Sequence, residues 1–200
     1  MTSPEGARGG SGIPGASIPG RSIPGADGVT GVSRALDFAA RKHAHQRRKG
    51  IRAEPYVNHL TEVALLLAEA TDGTDAALVM AGLLHDTIED TETSLSELET
   101  SFGPDVASLV AEVTDDTRLP REERRRKQVE SAPHRSARAR MIKLADKIAN
   151  LHSIVESPPV GWSGRRKREY VEWAREVKAA CGPTNERLER LFDDAARRLD

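Results

Sequence analysis

From Val32 onward the apolar positions recur at helical spacing. Ala35, Leu36, Ala39 and Ala40 mark one face of a first predicted helix, which runs on into the basic stretch Arg47-Arg48-Lys49-Gly50. Pro55 and Tyr56 fall in an extended connection. A second helix carries Val63, Leu66, Leu67 and Ala70 and stops near Asp72-Gly73. The third starts at about Asp75 and passes through Leu78, Val79, Ala81, Gly82, Leu83 and Leu84 into His85-Asp86. It is apolar almost all round, so it is expected at the centre of the fold. Ser94-Leu95-Ser96-Glu97 has the form of a capping box, and Pro104 suits the first turn of the helix after it. Residues 121 to about 131 are so highly charged that they read as a partly exposed helix or a mobile loop. A long helix is expected over 137 to about 155, then a break at Pro158-Pro159 and two further helices near 163–180 and 184–199. Strand-like alternation is nowhere sustained over five residues, so the predicted fold class is all-α.

The chain before Val32 has a different character. Ile-Pro-Gly recurs at Ile13, Ile18 and Ile23 among Ser, Gly and Ala. Prolines remove backbone donors and glycines raise the entropy that folding must overcome, so residues 1–31 are expected to be a disordered tail. A motif read by a partner is the functional alternative. Residues 32–200 then form one domain of ordinary size. The formal net charge of −1 gives no global reason to expect a nucleic-acid or membrane-surface protein. One cysteine, Cys181, excludes an internal disulfide framework and a cysteine-rich zinc module. No apolar run reaches the ~18–20 residues that span a bilayer, so a cytoplasmic protein is expected.

The candidate chemistry centres on His85-Asp86 at the end of the buried helix. Ionisable side chains are costly there without a partner. A capping pair would satisfy them, but two further residues point elsewhere. Asp146 lies within the apolar stretch Met141, Ile142, Leu144, Ala145, Ile148 and Leu151, and His59 opens the second helix. Two imidazoles with two carboxylates make a mixed N/O donor set suited to Mn²⁺, Fe²⁺ or Zn²⁺. Glu89 and Asp90 follow His85 and Asp86 by four residues. If the helix or a tight continuation of it persists, both return to the same side as candidate acid and base. Asn150 stands in the same relation to Asp146. Arg47, Arg48 and Lys49 could neutralise an anionic substrate. Arg124-Arg125-Arg126, with Glu122, Glu123 and Glu130 beside them, read as a solvated face. His43 and His45, two apart and so on different faces, read as surface groups or as supports behind the ligands.

Tyr56-Val57-Asn58-His59, Leu83-Leu84-His85-Asp86-Thr87-Ile88-Glu89-Asp90 and Leu144-Ala145-Asp146-Lys147 together resemble the HD hydrolase domain of RelA/SpoT proteins. Glu112-Val113-Thr114-Asp115-Asp116, Gly161-Trp162-Ser163, Tyr170 and Trp173 extend the resemblance from Ala35 to the C-terminus. It is strongest to the small stand-alone hydrolases, the metazoan SpoT homologue and its bacterial relatives. The resemblance implies an HD-type helical bundle and a Mn²⁺-dependent (p)ppGpp 3′-pyrophosphohydrolase yielding GDP or GTP and pyrophosphate. It implies His59, His85, Asp86 and Asp146 as metal ligands, and Glu89 and Asp90 as the groups that activate and position water. Arg48, Lys49, Asn150 and Tyr170 are implied as substrate contacts. The same site acting on the NADPH 2′-phosphate or on adenosine alarmone analogues, and a non-catalytic nucleotide-binding protein, are the alternatives. Leu60 and Ala149 depart from the family pattern, in which proline and larger residues are usual. No synthetase domain is expected after the hydrolase region, and the sequence leaves a homo-oligomer open.

Overall fold

The computed structural model of the chain describes residues 28–199. Most of the Ile-Pro-Gly tail therefore lies outside the described residues. In order, the helices are α1 (Val29–Lys42), α2 (Val57–Ala70), α3 (Ala76–Leu84), α4 (Thr87–Asp90), α5 (Leu95–Phe102), α6 (Pro104–Val113), α7 (Arg121–Ser131), α8 (Ala137–Glu156), α9 (Gly164–Cys181) and α10 (Glu186–Arg197). A 3₁₀ turn, Ala132–His134, links α7 to α8. No strand forms among the described residues; only two isolated bridges occur, Arg47 with Pro55 and Gly50 with Pro159. The fold is all-α.

α3 occupies the centre, as its uniform hydrophobicity requires: every residue from Leu78 to Leu84 is buried. It begins where the Asp75 carboxylate accepts the Leu78 amide at 3.0 Å, and it packs against α1, α2, α6 and α8. At Gly82 a Cβ would lie 2.5 Å from Leu67 Cδ1, so the bare glycine lets α2 and α3 approach closely. α8 contributes Ile142, Leu144, Ala145, Ile148, Ala149 and Leu151 to the same core. Each fully buried Leu or Ile contributes about 1.5–3 kcal/mol by leaving water, and this core fixes the ends of α3 and the middle of α8 relative to one another. α10 closes the far side of α8 with Leu188 and Phe192.

The first helix starts at Val29 and ends at Lys42, three residues earlier than the expected start and before the basic run. Arg47, Arg48 and Lys49 consequently stand on a loop. The Ser94 hydroxyl accepts the Glu97 amide at 3.1 Å. The Glu97 carboxylate does not return the bond; it pairs at 2.9 Å with Lys42, the last residue of α1. Residues 121–131 are helical although none is fully buried. Trp173 Nε1 donates to the Arg125 carbonyl at 3.2 Å, Gln128 reaches Asp115, and Val129 packs against a small apolar cluster of Ala132, Val177 and Cys181.

Candidate metal centre and active cleft

α3 stops at Leu84, and the chain turns through His85 and Asp86 before α4. The break is slight, since the Asp90 amide still donates to the Asp86 carbonyl at 2.9 Å. A helix end is what allows two ionisable groups here: the apolar body of α3 stays in the core while its last turn meets α2 and α8. His59 comes from the first turn of α2 and Asp146 from the middle of α8. His59 Nε2 lies 3.3 Å from Asp146 Oδ1 and 3.6 Å from Asp86 Oδ2. His85 Nε2 lies 3.1 Å from Asp86 Oδ2 and 3.9 Å from Asp146 Oδ1. His59, His85 and Asp146 can each present one ligand atom within 4.8 Å of the other two, and Asp86 flanks both rings.

This donor set fits a divalent cation. His85 Nε2 is buried and makes no aligned hydrogen bond, although a carboxylate stands beside it. Its Nδ1 is committed to the Gly82 carbonyl at 2.7 Å, which assigns the ring proton to Nδ1 and turns the Nε2 lone pair toward the cluster. The carboxylates are also held from behind. Tyr56 Oη donates to Asp86 Oδ2 at 2.5 Å, while Asp146 accepts from Asn150 Nδ2 at 2.6 Å and from Lys147 Nζ at 2.8 Å. Burial keeps His59 below its ordinary pKa, the neutral form a metal ligand needs. Burial also pulls on His85, but the Asp86 and Asp146 carboxylates outweigh it and raise that imidazole to about 9. The two carboxyls are held low despite their burial, Asp86 mainly by His85 and Asp146 mainly by Lys147. Without an ion, then, a proton on His85 supplies part of the positive charge the carboxylates require.

Above the cluster opens a cleft of about 610 Å³. Nine Lys or Arg side chains line it against five Asp or Glu, an excess of positive charge that favours anions. Glu89 and Asp90 both face this cleft. Glu89 Oε1 accepts the main-chain amide of Asp115 at 2.6 Å, and burial pushes its pKa up to about 7. Asp90 Oδ2 accepts from Gln46 Nε2 at 2.8 Å, and Gln46 is in turn bonded to His43 Nδ1 at 2.5 Å. His43 is buried against the Tyr56 ring, so the expectation of a surface group fails and that of a support holds.

Arg48, Lys49, Asn150 and Tyr170 all line the cleft, with Arg48 Nη2 donating to Asn150 Oδ1 at 3.2 Å. The loop that carries Arg48 and Lys49 is strapped to the end of α8. Val160 donates to the Lys49 carbonyl at 3.1 Å, Ile51 to the Pro158 carbonyl at 3.2 Å, and the Arg52 amide to Ser157 Oγ at 3.1 Å. Gly50 lies within this strap with no space for a side chain, since a Cβ would stand 2.2 Å from the Ser157 carbonyl oxygen. Tyr170 sits in an aromatic wall with Trp162 and Trp173, and burial raises its hydroxyl to about 12.

Two features escaped the sequence reading. Arg124 and Arg125 line the cleft instead of forming a solvated face, and the Arg125 guanidinium lies 4.8 Å from the Trp173 ring centre and 5.9 Å from that of Tyr170. Charge alternation with Glu122 and Glu123 hid this, because only the packing of α7 over α9 selects which cations turn inward. The Tyr56 hydroxyl is the other. Its neighbour His59 drew attention, but nothing in the spacing linked residue 56 to residue 86.

Comparison with known proteins agrees with this geometry. A model of the HD domain matches residues 35–176. The mouse guanosine-3′,5′-bis(diphosphate) 3′-pyrophosphohydrolase MESH1 is 50% identical over 164 residues, covering 80% of this chain and 92% of the mouse protein. The Drosophila melanogaster protein of the same name is 45% identical over 162 residues, covering 81% of this chain and 90% of its own. A solved structure described as a metazoan ortholog of SpoT that hydrolyses ppGpp superposes with a TM-score of 0.80 at 44% identity, covering 83% of this chain and 93% of that one. This chain belongs to the HD domain family of metal-dependent phosphohydrolases.

Proposed function

We propose that the protein is a Mn²⁺-dependent (p)ppGpp 3′-pyrophosphohydrolase, with His59, His85, Asp86 and Asp146 as the metal ligands. The observation that carries this reading is the position of that four-residue cluster at the floor of a strongly basic cleft. The names of the relatives, about half identical over nine-tenths of the mouse protein, supply the substrate. An N/O donor set without thiolate is compatible with Mn²⁺.

A divalent ion in that cluster supplies Lewis-acid charge to a phosphoryl group and acidifies water. The residues around it account for the rest. Glu89, with a pKa near 7, is poised to take a proton from the attacking water at neutral pH, and Asp90, held by Gln46, orients that water. Water adds to the phosphorus attached to the ribose 3′ oxygen. The bond to that oxygen breaks, pyrophosphate departs, and the ribose oxygen ends as a hydroxyl. Arg48, Lys49 and Asn150 bind the substrate from the strapped loop and α8, and Tyr170 offers an aromatic face to the nucleoside. Arg121, Arg125 and Arg166 offset negative charge farther along the cleft.

The test is a substrate panel with Mn²⁺: ppGpp, its adenosine analogue and NADPH, each with the Asp146→Ala protein as control. Fastest turnover on ppGpp, abolished in the control, is expected. Folded, metal-loaded protein that leaves ppGpp intact would refute the assignment.

A further inference from the structure

A carboxylate that takes a proton from water must be held in one direction, and Glu89 is poorly placed to hold itself. It belongs to α4, a helix of four residues, and its side chain has several free rotations. What fixes it comes from another part of the chain. α6 ends at Val113, and extended backbone at Thr114 carries the chain across to α4, where the Asp115 amide donates to Glu89 Oε1 at 2.6 Å. Among the described residues no protein group donates to Glu89 Oε2, so the second oxygen is left for the cleft.

The side chain of Asp115 shows how that amide is kept in place. Its carboxylate is only 13% exposed and is enclosed by cations and an amide. Lys143 Nζ stands 3.5 Å from Oδ1, Arg135 Nη2 stands 3.8 Å from it, and Gln128 Nε2 donates to Oδ2. Lys143 is itself buried on the cleft-facing side of α8, where an unpaired ammonium would be costly. Three elements, α7, α8 and the segment before α8, thus converge on one residue whose main chain touches Glu89. We propose that Asp115 is a positioning residue for Glu89: its amide fixes one oxygen of that carboxylate, and Lys143, Arg135 and Gln128 hold Asp115 for that role. The charged groups facing Glu89 are Lys143 from α8, Asp115 itself and Asp86 at the start of α4; Lys143 favours the ionised carboxylate and the two aspartates oppose it.

The inference rests on the reading of Glu89 as proton acceptor, and two experiments separate the two claims. The first is a double-mutant cycle on pyrophosphate release from ppGpp with Mn²⁺. Asp115→Ala should lower kcat by about 10- to 100-fold with KM changed by less than about 3-fold, and should add less than about 2-fold when Glu89 is already Gln. An equal loss in both backgrounds, or a loss confined to KM, would mean that Asp115 only supports the fold. The second follows the residue-115 amide proton by NMR in the metal-free protein. In wild type its shift should titrate with Glu89, because that amide donates to the carboxylate, and in Asp115→Ala the dependence should be lost; an amide that never follows Glu89, or follows it equally in Asp115→Ala, overturns the proposal. This second result does not depend on which substrate the enzyme takes. Failure of wild-type protein on ppGpp would count against the assigned activity, and the amide would still decide the role of Asp115.

Discussion

The Tyr56 hydroxyl donates to Asp86 Oδ2 over 2.5 Å, joining the residue that precedes α2 to the carboxylate that follows α3. The contact strongly disfavours ionisation of the phenol, chiefly through burial and then through the charge of Asp86, so the proton stays on Tyr56. It also occupies one lone pair of Asp86 Oδ2, an oxygen of the proposed ligand set, and sets its direction. Tyr56→Phe should therefore keep the fold and weaken Mn²⁺ binding by about 10- to 100-fold, the usual cost of losing a partner behind a metal ligand. Isothermal titration with Mn²⁺ checks this. An unchanged affinity would show that Asp86 is oriented without the phenol.

Metal affinity should rise with pH up to about 9. His85 is raised to about that value in the ion-free protein, because Asp86 and Asp146 overcome the effect of burial. An ion must displace that proton, so binding at pH 6 should release close to one more proton than binding at pH 9.5. Titration in buffers of different ionisation enthalpy measures the number released. A pH-independent count would contradict the assignment of His85 as a ligand.

Glu89 makes a prediction about stability. Burial raises its folded pKa to about 7, above the ordinary 4.5. The folded state therefore binds the proton more tightly than the unfolded chain, and the stabilisation present below 4.5 is lost as pH rises through 7. Glu89→Gln removes this dependence. In the metal-free protein it should exceed wild type by about 1–2 kcal/mol at pH 8, a figure reduced for partial solvent screening, and match it near pH 4.5. Urea denaturation at the two pH values decides. In the same variant, ppGpp turnover should fall by about 10²–10⁴-fold, so stability and activity move in opposite directions.

Gly50→Ala should cost both stability and substrate binding. The added methyl would meet the Ser157 carbonyl at 2.2 Å, and the strap that positions Arg48 and Lys49 would have to open. A loss of about 1–3 kcal/mol in urea denaturation is expected, with KM rising more than kcat falls. Unchanged KM would show that the two cations do not depend on the strap.

The legible part of this protein was set by local chemistry. An unbroken apolar run identified α3 as central, and a histidine, an aspartate pair and a second histidine on such elements were conspicuous because burial makes them expensive. Four-residue spacing placed Glu89, Asp90 and Asn150 on the cleft side even though the helix breaks at His85 and Asp86. What stayed hidden depends on contacts between distant segments. The pairing of Lys143 with Asp115, the bond from Tyr56 to Asp86 and the inward turn of Arg125 each span more than twenty residues. No periodicity in either partner announces such a contact. α7 shows the same limit from the other side, since a helix with no fully buried residue gives no apolar pattern to read.

The central claim is that His59, His85, Asp86 and Asp146 assemble one ion that serves hydrolysis of the 3′-diphosphate. Phosphorus-31 NMR of ppGpp incubated with the Mn²⁺-loaded protein tests it most directly. The prediction is that pyrophosphate and GDP appear together in equal amounts with wild type, and that neither appears with Asp146→Ala. Orthophosphate as the first product, or unchanged turnover in the Asp146→Ala protein, would contradict it.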